Sequence, residues 1–308
     1  MEYHNPVLLK TSVENLITIP NGIYVDVTYG GGGHSREILK NINNGKLIAF
    51  DQDADAQTQL IQDDRFTFIH SNFKNLELFL KYHNSYPVDG ILADLGISSH
   101  QIDDGERGFS YRSDATLDMR MNRNSGKSAI DIINEYDISA LSNIFYNYGE
   151  LKESRAIASR IVKNREETII KTTTQLANIV TPCLPRGKEN KYLSKIFQAI
   201  RIEVNDEMAV LESFLIQTEK ALNVGGRLAI ISYHSLEDRL VKNFMKSGNL
   251  QGEVKKDFFG NPQTPFKLIT KKAIQPSEEE ITINPRARSA KLRVAEKITP
   301  INHEINIK

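Results

Sequence analysis

The sequence predicts an α/β protein: a doubly wound, mostly parallel, Rossmann-like sheet with an inserted all-α domain. Two observations predict this fold class. The first hundred residues alternate short β-branched runs with helical patterns, as strand–helix–strand units do. A strong strand pattern then returns only at residues 226–233 (GRLAIISY), and the long stretch before it has helical periodicity.

Four strands are predicted before the insertion. They lie at residues 23–28 (IYVDVT), 46–51 (KLIAFD), 65–70 (RFTFIH) and 88–94 (VDGILAD). Helices are predicted at residues 35–41 and 54–62, between consecutive strands. A crossover between parallel strands needs only about a dozen residues. The distance from the fourth strand to the fifth is far longer than that, which indicates an inserted domain.

Helices predicted at residues 129–136, 138–148, 154–165 and 173–183 fill the insertion. We therefore expect a cofactor-binding domain in two parts, residues 1–108 and 205–308, and a helical substrate-recognition domain at 109–204. A helix over residues 205–222, capped by Asn205 or Asp206, leads through Gly225 and Gly226 into the fifth strand. Two short strands follow, at residues 266–270 and 290–295, in a basic C-terminal segment.

The charges of the chain are balanced overall but not locally. Of the 308 residues, 39 are Lys or Arg and 39 are Asp or Glu, so net charge indicates no nucleic-acid partner. Residues 254–297 hold ten basic side chains against five acidic ones, and residues 186–201 hold five against one. An anionic polymer responds to such local fields, although an ordinary solvated surface explains each patch equally well.

The N-terminal residues lack the basic and apolar pattern of a signal peptide, and no apolar run is long enough to span a membrane. The one cysteine, Cys183, excludes an internal disulfide and argues against a structural zinc site. We expect a cytoplasmic protein with no membrane partner and no metal.

A glycine-rich turn, Asp26 to His34 (DVTYGGGGH), joins the first strand to the first helix. Glycines there let the backbone turn tightly and approach a ligand closely. Ligands of open α/β sheets bind at this edge, beyond the carboxyl ends of the strands. Asp51 ends the second strand, where a carboxylate can accept both hydroxyls of an adenosine ribose. The segment therefore predicts a nucleotide-like cofactor.

Two cofactors use this geometry. The dinucleotide fingerprint G-x-G-x-x-G is matched by Gly30 and Gly32, but its third position falls on Ser35. S-adenosyl-L-methionine (SAM) has no phosphate, and its cationic groups favour nearby carboxylates, which Asp26 and Asp94 supply. We predict SAM, with a dinucleotide and a purely structural turn as the alternatives.

Ten sequence blocks resemble one family closely. They are HNPVLL (4–9), GGGHS (31–35), DLGISS (94–99), QIDD (101–104), ERGFS (106–110), LDMRM (117–121), FQAIRI (197–202), VNDE (204–207), ISYHSLEDR (231–239) and NPRARSAKLR (284–293). In these blocks the chain resembles the MraW family, ribosomal RNA small subunit methyltransferase H, over nearly its whole length. Blocks such as ERGFS and SYHSLEDR are long and unusual.

The resemblance implies a SAM-dependent enzyme that methylates the exocyclic N4 amine of one cytidine in the decoding region of 16S ribosomal RNA. The partner is then small-subunit ribosomal RNA, with the assembled small subunit as an expected substrate form and a homodimer left open. The family's cofactor contacts fall on Gly32, Gly33, His34, Asp51, Phe73, Asp94 and Gln101. Without the resemblance, Phe73 is first of all a candidate core aromatic.

The chain departs from the family pattern at three places. His100 replaces a proline, Leu151 replaces the second acid of a Gly-Glu-Glu sequence, and residues 191–195 (KYLSK) replace His-Pro-Ala-Thr-Arg. The last change puts an essential histidine of the insertion in doubt. That change does not affect the cofactor positions.

Substrate contacts are expected around the fourth and fifth strands. Asp94, or a neighbour in the following loop, is the candidate catalytic acceptor for the amine hydrogens. Residues 101–121 form either a lid, in which Phe109 or Tyr111 stacks on a base and Arg107 or Arg120 contacts phosphate, or a linker that packs the insertion. The further candidates for contact with the RNA are His234, Arg286, Arg288, Lys291 and Arg293. The alternative for the four Arg and Lys side chains is that they only lie on the surface of an edge strand.

Ser235 follows His234 and could be taken for an activated nucleophile. Ser235 and Asp238 also fit a capping box at the start of a helix over residues 236–245, and we favour that role. Three other functions remain open: a DNA methyltransferase, a protein methyltransferase, and an RNA-binding ribosome assembly factor without catalysis.

Overall fold

The computed structural model describes residues 6–98, 101–102, 104–124 and 126–299. The chain divides into two compact units: a sheet unit, Met1–Gly96 with Ala209–Lys308, and a helical unit, Ile97–Met208. The helical unit begins earlier than the expected residue 109. The reason is that the peptide N–H of Met119 donates to the carbonyl of Arg107 (3.0 Å), and the Arg107 guanidinium donates to the carbonyl of Met121 (3.0 Å).

The strands are β1 Ile23–Asp26, β2 Lys46–Asp51, β3 Phe66–His70, β4 Val88–Asp94, β5 Leu222–Ser232, β6 Lys255–Lys256, β7 Pro262–Gln263, β8 Phe266–Leu268 and β9 Lys291–Lys297. Seven of them form one sheet in the order β3-β2-β1-β4-β5-β9-β8. Strands β1 to β5 are parallel, whereas β9 pairs antiparallel with β5 and β8. The predicted fold class is confirmed.

The helices are α1 Leu9–Leu16, α2 Gly33–Asn41, α3 Leu76–Tyr82, α4 Ala129–Glu135, α5 Ile138–Asn147, α6 Ser154–Glu167, α7 Thr173–Val180, α8 Glu189–Asn205, α9 Glu207–Ala221, α10 Ser235–Ser247 and α11 Glu278–Ile283. Helices α4 to α8 belong to the helical unit. Within the described residues, no helix is long and apolar enough to cross a membrane.

The core of the sheet unit is built on the central strands. Leu47, Phe50, Leu92 and Ile231 are fully buried. Such continuous apolar runs are typical of parallel strands covered on both faces. The polar side chains that follow these runs therefore come out together, at the carboxyl edge of the sheet.

The helical unit has a core of its own, in which Phe145, Ile157 and Ile196 are fully buried. Its helix α4 begins with a capping box between Ser128 and Asp131, so the orphan N–H groups of the first turn have partners. This unit satisfies the expectation that the long stretch between β4 and β5 folds as helices.

Two expectations about helices were wrong, one about where a helix begins and one about the type of a helix. Asp206 does not begin a helix: it is the left-handed residue (φ 52°) that ends α8, and α9 starts directly after it. Residues 54–62 were expected to be α-helical, but the chain forms a short 3-10 helix, Ala54–Gln59, capped by Asp53. At the second place the Asp53 carboxylate accepts the Asp55 peptide N–H (3.1 Å), a local bond that competes with a regular helix.

Candidate active site

Three carboxylates meet at the carboxyl edge of the sheet. Asp26 ends β1, Asp51 ends β2 and Asp94 ends β4, and these strands are neighbours in the order β2-β1-β4. Parallel pairing keeps their ends together: Asp26 is in register with Ala49 of β2 and with Leu92 of β4. This is the edge at which open α/β sheets bind ligands.

Asp26 was expected to face the cofactor, and this was wrong, because its side chain is fully buried. One carboxylate oxygen accepts the Ser35 hydroxyl (2.7 Å) and the other accepts the Thr28 peptide N–H (3.1 Å). Burial raises the pKa of Asp26, against the lowering effect of these hydrogen bonds. Asp26 therefore holds the turn together rather than touching a ligand.

The turn glycines make room for the protein's own atoms. Gly32 has a left-handed backbone (φ 74°), and a Cβ there would lie 2.7 Å from the Tyr29 hydroxyl. A Cβ on Gly33 would lie 2.1 Å from Cγ of Pro6. Both glycines thus let the first turn of α2 pack tightly against neighbouring segments. The sequence motif alone did not distinguish this packing role from close approach to a ligand.

Asp51 faces this turn with a half-buried carboxylate. Its two oxygens accept the peptide N–H groups of Gly30 (2.7 Å) and Asp53 (2.9 Å). Burial raises the pKa of Asp51 to about 6, although both hydrogen bonds act to lower it. Each carboxylate oxygen has a second lone pair, so the group can still accept hydrogen bonds from a ligand.

Asp94 is held from three sides. The Tyr233 hydroxyl donates to its Oδ1 (2.8 Å), Nδ1 of His34 lies 3.8 Å from its Oδ2, and its own peptide N–H donates to the Thr28 hydroxyl (2.7 Å). The side chain remains 22% exposed. Burial raises the pKa of Asp94 to about 6, with the hydrogen bond from the Tyr233 hydroxyl acting in the opposite direction. The carboxylate is thus oriented and still accessible.

His34 presents an acceptor beside this carboxylate. Its Nε2 lies 3.2 Å from the Val7 carbonyl oxygen, which can only accept, so Nε2 carries the proton. Burial lowers the pKa of His34, which keeps the imidazole neutral near pH 7. Its Nδ1 then has a lone pair on the side of Asp94. Two acceptors side by side suit a cationic donor.

Phe73 lies in a short 3-10 helix, Phe73–Asn75, just beyond β3. Its ring is half-buried and meets the Phe214 ring edge-on, with the centroids 5.1 Å apart. One part of the ring therefore packs in the core and another part remains accessible. Gln101 lies in the helical unit, where its Oε1 accepts the Ser98 peptide N–H (3.0 Å), and its role toward the cofactor stays a prediction.

The residues expected to form a lid are mostly part of the helical unit's core. Arg107 is only 1% exposed and donates to the carbonyls of Arg120 and Met121, so its expected contact with phosphate is wrong for this fold. Phe109 is buried, which contradicts a stacking platform at that position. Tyr111 is half-buried, with its ring edge-on to Phe197 at 5.7 Å. The structure therefore favours the second interpretation of this segment, a linker that packs the insertion, over a lid.

His234 and not Ser235 caps helix α10. The peptide N–H of Glu237 donates to Nδ1 of His234 (3.4 Å), and the Glu237 carboxylate accepts the His234 peptide N–H (3.3 Å). Nε2 of His234 lies 3.1 Å from the same carboxylate. The expected capping box was therefore displaced by one residue, and the imidazole of His234 is engaged in it.

The C-terminal cations divide into two groups. Arg293 and Lys291 bind the Asp238 carboxylate (2.7 and 3.2 Å), on β9, which is an interior strand and not the expected edge. Arg286 and Arg288 are exposed in a 3-10 helix, Pro285–Ser289, so the prediction of a phosphate contact still stands for these two.

Sequence reasoning missed two polar residues of this edge, Tyr233 and Thr28. Tyr233 comes directly after β5, and β5 is the parallel neighbour of β4. The signal was the strand order, since residues that follow neighbouring parallel strands share one edge. His4, Asn5, Ser99 and Asp103 of the sequence blocks above, and His100, which replaces the family's proline, lie outside the described residues.

Comparison with known proteins assigns the chain to a family. Residues 1–298 match the model of the MraW methylase family. A Bacteroides fragilis protein named ribosomal RNA small subunit methyltransferase H is 56% identical over 296 residues, 96% of this chain and 97% of its own. A Flavobacterium johnsoniae protein of the same name is 55% identical over 299 residues, 97% and 99% of the two chains.

Among solved structures, an rRNA methylase from Clostridium thermocellum is 14% identical, with a TM-score of 0.44 over 95% of this chain and 98% of that one. The match to the family model covers both parts of the sheet unit and the helical unit. The predicted class, a SAM-dependent methyltransferase, is therefore confirmed, and the chain belongs to the MraW methylase family.

Proposed function

We propose that this protein transfers a methyl group from SAM to the exocyclic N4 amine of one cytidine in the decoding region of small-subunit ribosomal RNA. The observation that carries the proposal is the identity of 55–56%, over 96% or more of the chain, to proteins named ribosomal RNA small subunit methyltransferase H. The arrangement at the carboxyl edge of the sheet supports the chemistry.

The hydrogen-bond acceptors of this edge fit SAM. Asp51 can accept the ribose hydroxyls, and Asp94 together with Nδ1 of His34 can accept hydrogen bonds from a cationic amino group. The accessible part of the Phe73 ring can pack against adenine. When bound, SAM supplies a methyl group that is activated by its positively charged sulfur. A dinucleotide fits less well, because a pyrophosphate beside these carboxylates would be repelled.

The chain's task toward the second substrate is alignment. The cytosine amine is a poor nucleophile, because its lone pair is delocalised into the ring. An acceptor that binds the amine hydrogens favours the pyramidal, more nucleophilic nitrogen. Asp94 is the candidate, since the Tyr233 hydroxyl orients its carboxylate and leaves it partly exposed. Holding the base in line with the methyl group contributes the rest of the rate enhancement.

Surface charge supports an RNA substrate. Arg186, Lys188 and Lys191 are exposed on the helical unit, in the stretch with five basic side chains against one acidic one. Exposed cations can follow a phosphate backbone without reading its bases. We infer that the helical unit contacts the RNA through this stretch, with the assembled small subunit as the substrate form.

The test is methyl transfer in vitro. Purified protein is incubated with SAM carrying a labelled methyl group and with small subunits from cells that lack the enzyme, and the RNA is digested to nucleosides. Label in N4-methylcytidine is expected. Label in another nucleoside, in protein or in added DNA would contradict the proposed substrate and identify the labelled molecule as the substrate instead. Binding of the RNA without methyl transfer would indicate an assembly factor.

Asp51→Ala is the matched variant for this assay. Loss of the ribose contacts should weaken SAM binding by about 1–3 kcal/mol, measured by calorimetry. Binding of the RNA should not change, because Asp51 lies at the cofactor end of the site. Unchanged affinity for SAM would remove Asp51 from the cofactor site.

A further inference from the structure

A β-hairpin of the sheet unit presents two phenylalanines to solvent. Strands β6 and β7 pair antiparallel, and Phe258 and Phe259 lie at the tip between them, 97% and 85% exposed. Large apolar side chains are usually buried, and adjacent exposed ones commonly mark an interaction site. Neither residue has a part in the site described above.

The tip is ordered by its own hydrogen bonds. The Asp257 carboxylate accepts the peptide N–H groups of Phe259 (2.9 Å) and Asn261 (2.8 Å) and the Asn261 side-chain amide (3.0 Å). These bonds hold the pKa of Asp257 below its usual value, so the group stays ionised at neutral pH. Gly260 takes the left-handed backbone (φ 86°) that the turn requires.

The two rings stand edge-to-face, with centroids 5.6 Å apart and planes at 87°. This arrangement leaves aromatic faces open on the outside. Flat aromatic or heteroaromatic groups are the natural partners of such faces.

The charge around the tip selects the partner. Lys255 and Lys256 are exposed on β6, directly before the tip, and residues 251–272 contain five lysines against two acidic residues. Lysines beside exposed aromatic rings are the combination that binds single-stranded nucleic acid, in which bases stack on the rings and phosphates meet the cations. Of the two acids, Asp257 is already occupied by the turn.

We propose that this hairpin, residues 255–263, is an RNA-binding element, in which Phe258 and Phe259 stack on unpaired bases and Lys255 and Lys256 neutralise the adjoining phosphates. The inference rests on the proposed function, since it takes the RNA substrate as the partner. It adds a contact on the sheet unit that anchors the RNA outside the reaction site.

A fluorescence experiment reports on stacking directly. The chain has no tryptophan, so Phe258→Trp introduces a single reporter. Its emission is followed while a fluorescein-labelled single-stranded RNA oligonucleotide is added, with anisotropy of the label showing saturation. Quenching is expected with RNA and not with heparin, which has negative charge but no bases. Tyr82→Trp, at a site 77% exposed on α3 of the same unit, is the control and should not be quenched.

Unchanged emission of the Phe258→Trp variant at saturating RNA would overturn the proposal. So would a blue shift with phosphatidylglycerol vesicles in the absence of quenching by RNA, since that result would assign the tip to a membrane surface.

Side-chain removal gives the second measurement. The double variant Phe258→Ala/Phe259→Ala should raise the KM for small subunits by about thirtyfold or more, because two stacked bases are lost. Its kcat and Tm should stay unchanged, because these rings bury almost nothing in the folded chain. The variant Phe258→Tyr/Phe259→Tyr should retain the wild-type KM, and Tyr82→Ala should have no effect.

An unchanged KM in the double alanine variant would contradict the inference while leaving the proposed function intact. If the wild-type protein did not methylate ribosomal RNA at all, the proposed function would fail, and the quenching experiment would still decide whether the hairpin binds RNA.

Discussion

At Asp94, burial and hydrogen bonding act in opposite directions on one carboxyl group. Burial raises its pKa to about 6, while the hydrogen bond from the Tyr233 hydroxyl favours the ionised form. Asp51 is in the same condition, with a pKa of about 6 and two peptide N–H donors. Both groups are ionised at neutral pH but close enough to titration for moderate acid to protonate them.

We predict that SAM affinity falls as the pH drops through about 6. The ionised carboxylates bind the cationic ligand, so below pH 6 the protein must release protons in order to bind it. Calorimetry in buffers of different ionisation enthalpy measures that release directly. Affinity that stays constant between pH 5 and 8, with no proton release, would show that neither Asp51 nor Asp94 contacts the cofactor.

The same shifts affect folding with a definite sign. The pKa of each carboxyl is higher in the folded protein than the usual value near 4 in an unfolded chain. The folded state therefore binds more protons between about pH 4 and pH 6, and each group stabilises the fold less as the pH rises through that window. A bound cation offsets this cost, which is a further reason to expect a cationic ligand here.

Tyr233→Phe removes one hydrogen bond from Asp94 and leaves the packing in place. We expect the pH midpoint of kcat to move upward, because this hydrogen bond lowers the pKa of Asp94. At pH 7 kcat should fall by about threefold to tenfold. Tyr24→Phe is the matched control, since its hydroxyl donates to the Ile19 carbonyl (2.9 Å), away from the carboxyl edge of the sheet. A pH profile that is the same in both variants would assign Tyr233 a purely structural role.

At the scale of elements, the loop between β1 and α2 serves packing as well as binding. Gly33 stands where a side chain would collide with Pro6, so the first turn of α2 and the N-terminal segment close on each other at this residue. Ser35 and Thr28, bound to the buried Asp26, hold the rest of the loop. The glycine run therefore has a structural function in addition to the one that its motif predicts.

Gly33→Ala should consequently destabilise the protein without ligand. We expect a loss of about 1–3 kcal/mol in the free energy of unfolding, as for other overpacked sites, measured by urea denaturation in the absence of SAM. Gly105→Ala is the control, because a Cβ there would meet no atom of the described residues within 4 Å. A stable Gly33→Ala variant that has lost only SAM affinity would show that the glycine serves the ligand alone.

Strands and helices differed in how well the sequence predicted them. The ends of β2 and β4 were predicted to the residue, because each apolar run stops at an aspartate, Asp51 or Asp94. Helix α8 was missed although its buried residues Leu193, Ile196 and Ile200 recur at helical spacing. The signal was present in the sequence, and the basic residues around it were interpreted only as surface charge.

The sequence predicted the site residues at the strand ends but not the contacts that hold them. Sequence patterns placed Asp51 and Asp94 after their strands, but the bond from Tyr233 to Asp94 joins residues 139 positions apart. Only the pairing of β4 with β5 brings them together. The burial of Arg107 could not be predicted either, because a charged residue in a loop is normally exposed.

At the scale of the whole molecule, a sheet unit with the cofactor edge is combined with a helical unit formed by Ile97–Met208. The insertion was predicted from the distance between β4 and β5. Its start was misplaced because the sequence of residues 97–108 has no regular period, and Arg107 joins the helical unit through hydrogen bonds with Met119, Arg120 and Met121. Similarity to the MraW methylase family extends over both units.

We propose that this chain methylates one cytidine of the small-subunit RNA, and mass mapping of that RNA from cells with and without the protein tests this proposal. One N4-methylated cytidine is expected in the decoding region, absent without the protein and restored by the wild-type chain but not by Asp51→Ala. An identical modification pattern in both RNAs would contradict it.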